Sequence, residues 1–128
     1  MKKMQASVTV EAAFLVPFIL MIISVTITLL FYCHDKIIIH ATLHETAVVM
    51  SNEEDSTDIM IENYFREQIG GRLLLFSSAR VEIENGKEDL SVECVAVHNG
   101  MRIRAETRMK RTYPEKWVRT MNNLLGAE

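Results

Sequence analysis

The chain has 128 residues, 48% of them apolar, and a formal charge of only −3. So small a charge does not imply nucleic acid or a strongly acidic ligand, and two cysteines make no disulfide framework of a small secreted domain. Cys33 and Cys94 read as free thiols by default, with a bridge between them as the alternative outside the cytoplasm, and their separation matches no metal-site spacing.

The first element is apolar. Ala12 to Cys33 is a run of 22 residues without a charge, AAFLVPFILMIISVTITLLFYC. At 1.5 Å per residue such a helix measures about 33 Å, which matches the hydrocarbon core of a bilayer. The roughly 95 residues that follow it make one small domain, too small to bury a helix of this length. Pro17 removes one backbone donor about two turns into the run and predicts a kink there, which membrane helices tolerate. Lys2 and Lys3 precede the run, whereas Asp35 and Lys36 follow it and cancel. The positive-inside bias therefore predicts a cytoplasmic N-terminus and an extracytoplasmic C-terminus.

Processing of this N-terminus follows from its composition. The apolar run exceeds the roughly 7–15 residues of a secretory signal core, and Leu30-Phe31-Tyr32-Cys33-His34 offers no small-residue cleavage site. Bulky Tyr32 ahead of Cys33 argues against a lipoprotein signal. Two options stay open: an uncleaved anchor, or cleavage ahead of the run. Glu11 sits at the edge of the run, where a carboxylate in lipid requires a partner. Alternatively it lies among the headgroups at the helix start, where an acid suits the helix dipole.

The stretch Ala6-Ser7-Val8-Thr9-Val10-Glu11-Ala12-Ala13-Phe14-Leu15-Val16-Pro17 resembles the N-terminal signature of TadE-like pilus assembly proteins, which belong with the type IV pilins and pseudopilins. Their signal is a short basic leader, a small residue, four residues and then Glu, followed by the apolar helix. The resemblance implies that a prepilin peptidase cuts between Ala6 and Ser7, where the family's usual leader-end residue is Gly. Glu11 then takes the fifth mature position, and in that family the acid registers the subunit by neutralising the new α-amino group of a neighbour in the membrane bundle. Arg111-Thr112-Tyr113-Pro114-Glu115-Lys116-Trp117-Val118-Arg119 also resembles, more weakly, the ends of some such proteins.

Beyond the span the helical pattern continues through Ile37, Ile38, Ala41, Thr42, Glu45, Val48 and Val49. With no Gly or Pro from Phe18 to Ile69, one helix from about Val8 to Met50 is predicted. The polar run from Asn52 to Asp58 breaks it and supplies caps for a second helix, about Thr57 to Ile69, with Ile61, Tyr64, Phe65 and Ile69 on its apolar face. Gly70-Gly71 ends that helix.

Asn85-Gly86 and Asn99-Gly100 then predict a three-stranded meander. A tight second turn sets His98 opposite Met101, Ala96 opposite Ile103, Cys94 opposite Ala105, Val92 opposite Thr107 and Leu90 opposite Met109. A tight first turn sets Val81 opposite Leu90 and Ala79 opposite Val92. Small apolar residues then share one face, while Arg80, Glu82, Glu93, Arg102, Arg104, Glu106 and Arg108 share the other. Glu93 would face Glu106 and Glu82 would face Asp89, and a longer first loop relieves the second clash. Thr112-Tyr113-Pro114-Glu115 reads as a capping box, and Trp117, Val118, Met121, Leu124 and Leu125 form the apolar face of a final helix expected to cover the sheet.

Seven acids between Glu45 and Glu67, and seven bases between Arg102 and Arg119, form opposite poles able to attract each other or to remain two solvated faces. His40 and His44 lie four apart beside Glu45, but without a distal ligand they read as exposed polar positions. No phosphate-binding Gly loop and no framed Ser or Cys nucleophile is present, so no enzyme, cofactor or metal is expected.

The expected architecture is α+β: a long N-terminal transmembrane helix extended outside the membrane, a short second helix, a three-stranded antiparallel meander and a C-terminal helix. Residues 1–6 form the cytoplasmic leader, 7–51 the transmembrane helix and its continuation, and 52–128 a small extracytoplasmic domain. With the resemblance, this implies a minor pilin-like subunit of a Tad-type pilus or secretion assembly. Its partners would be the bilayer, a prepilin peptidase, other pilin-like subunits and the assembly platform, without nucleic acid. The alternative is an uncleaved, single-pass, membrane-anchored interaction module.

Overall fold

Helix α1 runs unbroken over Lys2–Ser51, 50 residues and about 75 Å. The structure, a computed structural model, describes the backbone of residues 2–111 and 114–126, and the side chains of 4–111, 119 and 121–126. The helix starts six residues before the expected Val8, because Met4, Gln5 and Ala6 are helix formers and nothing there breaks the pattern. It also continues through Pro17, whose ring takes away only the N–H that would reach the carbonyl of Ala13. At its far end Ser51 Oγ and Asn52 Nδ2 both donate to the Val48 carbonyl, at 2.9 and 3.1 Å, one of the acceptors that the terminus leaves open.

Helix α2 spans Asp58–Ile69, capped by Thr57, whose hydroxyl accepts from the Met60 N–H at 3.4 Å. Its buried residues are Ile61 and Phe65, with Tyr64 and Ile69 half-buried, as the periodicity predicts. Strands β1 (Ala79–Asn85), β2 (Asp89–His98) and β3 (Met101–Lys110) form an antiparallel meander in that order. Helix α3 follows at Pro114–Leu125.

The β2–β3 register is the expected one, from Leu90 opposite Met109 to His98 opposite Met101. Asn99 (φ 46°) and Gly100 (φ 80°) both adopt the left-handed conformation that a two-residue hairpin with matching twist demands. The β1–β2 register differs by four positions: Val81 lies opposite Cys94, Ala79 opposite Ala96, and Asn85 opposite Leu90. Asn85 does not turn the chain. It is held as the last paired strand residue, with Nδ2 donating to the Ser56 carbonyl at 2.9 Å, so the turn moves on to residues 86–88. The slip is even-numbered and leaves every side chain on its expected face. The longer loop parts Glu82 from Asp89 but sets Glu82 against Glu93, so Glu82, Glu93 and Glu106 form one row across the outer face. Arg104 compensates the row with a two-pronged ion pair to Glu93, at 2.5 and 3.2 Å.

The apolar face of the sheet (Leu90, Val92, Cys94, Ala96, Ile103 and Ala105) packs on the C-terminal half of α1, while α2 packs on α1 and β1. Helix α1 contributes Ile39, Leu43, Ala47 and Met50 to this core. The buried stripe is therefore rotated from the predicted one, and Ile37, Val48 and Val49 are exposed. The sheet is covered by α1. Among the described residues α3 packs on no other element, and Met121, Leu124 and Leu125 are exposed. The expected burial of Trp117 and Val118, and the capping box at 112–115, lie outside the described side chains.

Candidate functional site

The N-terminal half of α1 is the feature that the rest of the fold leaves unexplained. Its charge-free run is exposed from Ala12 to Phe31, and Phe14, Leu15, Phe18, Ile19 and Leu20 are each at least half exposed. Such a surface would aggregate in water, and the helix is long and apolar enough to cross a membrane. Two hydroxyls within it are already satisfied. Thr26 and Thr28 donate to the carbonyls of Ile22 and Ser24, at 2.8 and 2.9 Å, so the run presents few free donors to its surroundings.

Ala6, Ser7, Glu11 and Pro17 all lie on this exposed half, and the fold brings no other element to them. Ser7 and Glu11, four apart, share one helix face. Among the described residues Glu11 has no hydrogen-bond or ion-pair partner.

What positions the domain on this helix is a residue that sequence reasoning treated only as a charge cancelling Lys36. Asp35, two residues past the apolar run, is fully buried. Its carboxylate accepts three consecutive backbone N–H groups, from Leu74 at 2.9 Å, Leu75 at 2.7 Å and Phe76 at 2.9 Å. His34 Nδ1 lies 3.1 Å from the same carboxylate. Burial pushes the Asp35 carboxyl upward, but the three amides and His34 outweigh it and hold the carboxyl below its ordinary value. The sequence signal was its position, in register with Ile39, Thr42 and Thr46 on one helix face.

Above this clamp, Tyr32, Phe76 and His98 form an aromatic run with successive centroids 6.1 Å apart. At the opposite end of the sheet Arg111 closes the domain. Its guanidinium donates to the Glu53 carbonyl and to Ser56 Oγ, both at 3.2 Å, and to Asn85 Oδ1. The acidic and basic stretches thus meet at this residue, through backbone and hydroxyl groups.

Compared with known protein families, with curated proteins and with solved structures, the chain finds no match. Other chemistry-bearing residues stay dispersed. His40 and His44 are exposed on α1, and among the described residues no three His, Cys, Asp or Glu side chains gather as a metal site would require. Cys33 is exposed and Cys94 buried, both free, and burial pushes the Cys94 thiol up to about 11.

Proposed function

We propose that this chain is a minor pilin-like structural subunit of a Tad-type pilus or secretion assembly. The observation that supports it most is the division of α1. One half is apolar and exposed, while the other is the spine of a small α+β domain. Such a helix is suited to storage in a bilayer and to later packing in a bundle of like helices. The run from Ala6 to Pro17 carries the remainder of the reading, because it resembles the processing signal of TadE-like proteins.

In this mechanism a prepilin peptidase removes residues 1–6 on the cytoplasmic side, leaving Ser7 as the N-terminus. Glu11, without a partner among the described residues, meets the α-amino group of a neighbouring subunit and sets the helix register. The outer face of the sheet, with Arg108 and the Glu82–Glu93–Glu106 row, is available for lateral contacts.

Intact mass and N-terminal sequence of the protein from native membranes test this reading. A chain beginning at Ser7 is expected. A chain that keeps Lys2 and Lys3 in cells with an active prepilin peptidase overturns it in favour of an uncleaved, membrane-anchored interaction module. Glu11→Ala should insert into membranes normally yet fail to enter the assembly, and wild-type recovery of assembled subunit would count against the registration role.

A further inference from the structure

The β2–β3 hairpin reaches back along α1 and leaves a cleft of about 440 Å³ beside the apolar run. One wall is helix: Ser24, Val25, Thr28 and Leu29. The other is the hairpin tip, Met101 and Arg102, with Tyr32 between them. The Thr28 hydroxyl is spent on the Ser24 carbonyl, so the helical wall presents mainly hydrocarbon.

The placement of this cleft follows from helix geometry. Val25 precedes Cys33 by eight residues, which is about 12 Å along the axis. In a bilayer crossed by the run from Ala12 to Cys33, the cleft therefore runs from the headgroup boundary at Tyr32 down among the upper acyl chains beside Val25. Its chemistry suits that depth. Val97, directly opposite Arg102 in the hairpin, is an exposed apolar side chain, and Tyr32 is the kind of residue that gathers at membrane interfaces. Arg102 is exposed at the cleft, and among the described residues no carboxylate lies within ion-pair distance of it. A guanidinium is the side chain best matched to a phosphodiester, through two parallel N–H donors.

We propose that the cleft holds one phospholipid of the leaflet nearest the domain. An acyl chain lies along Val25, Leu29 and Met101, and the phosphate is held by Arg102. The β2–β3 hairpin is then a second membrane contact beside α1, which fixes how the domain stands on the bilayer. This rests on α1 crossing the membrane and is independent of leader cleavage or of any pilus.

The test uses the full chain in nanodiscs of phosphatidylcholine brominated high on its acyl chains, mixed with phosphatidylglycerol. Cys33→Ser leaves only the buried Cys94 thiol, which stays unlabelled in the folded protein. A fluorophore is then placed at Val97→Cys, at Ile19→Cys in the apolar run, or at Lys87→Cys at the far end of the sheet. The bromines should remove most of the fluorescence at positions 97 and 19 and leave position 87 bright. Arg102→Glu should restore position 97 to the brightness of 87 without changing 19, whereas Arg102→Lys should keep most of the quenching. Quenching at 19 with 97 as bright as 87 overturns the lipid contact alone. Quenching at 97 that Arg102→Glu does not change overturns the phosphate site, and a bright position 19 overturns the membrane anchor itself.

Discussion

Three consecutive backbone N–H groups converge on the Asp35 carboxylate, so its removal strands donors that no neighbouring group replaces. At about 1–3 kcal/mol for each buried donor left without an acceptor, Asp35→Ala should cost about 3 kcal/mol or more, measured by chemical unfolding of the full chain in detergent. The same group gives a pH dependence whose sign is fixed. Its folded value is depressed, so its contribution is complete above the ordinary value of 3.8 and is lost as pH falls below that through the folded value. Acid unfolding of the wild type should therefore show a stability loss below pH 3.8 that is absent from Asp35→Ala. Thr42 is the opposite case. It is 1% exposed, and its hydroxyl has no hydrogen-bond partner among the described residues. Thr42→Val keeps the shape and removes the stranded hydroxyl, so the same unfolding measurement should show a gain of about 1 kcal/mol.

Among the elements, the two hairpins respond differently to their turn residues. The β2–β3 turn is closed by local geometry alone, with Asn99 and Gly100 both at positive φ. A methyl group added at Gly100 would find nothing within 4 Å, so the cost of Gly100→Ala is purely conformational. That cost should be about 1–2 kcal/mol, read from the unfolding midpoint. The β1–β2 loop instead depends on the rest of the fold. Asn85 is held by Ser56 and Arg111, Arg111 N–H donates to the Glu88 carbonyl at 2.8 Å, and Gly86 lies so close that a Cβ would stand 2.9 Å from the Asp89 carbonyl oxygen. A two-residue rule read from Asn85-Gly86 had no access to these partners, and this is why the first register shifted while the second did not.

For the molecule as a whole, α1 is one piece of backbone with an exposed apolar half and a packed half, and no linker between them. The packed domain begins at Tyr32 and Asp35, well before the polar break at Asn52, because Ile39, Leu43, Ala47 and Met50 form one side of its core. A fragment of residues 52–128 should accordingly fail to fold, since its sheet would expose Leu90, Val92 and Ile103 to water. A fragment of residues 32–128 keeps Asp35 and the whole helical spine and should fold. Amide dispersion in NMR spectra of the two fragments decides this, and a folded 52–128 would show that the sheet finds its cover elsewhere.

The elements, and the faces of α2 and of the sheet, were legible in the residue order alone: an uninterrupted helix, a capped second helix, a meander with alternating burial, and the N-terminal run from Ala6 to Pro17 on an exposed apolar helix. These are local properties, set by hydrophobic period, breakers and turn chemistry within a few residues of each other. Which surfaces meet was settled by packing. Apolar periodicity in the C-terminal segment stated that a face exists there, not what covers it, and α1 occupies the sheet with a stripe rotated from the one its Ile and Val residues suggested. The Asp35 clamp was hidden for the same reason. A carboxylate becomes a structural anchor only when three amides from a segment about forty residues away converge on it, and the spacing of nearby residues carries no record of that meeting.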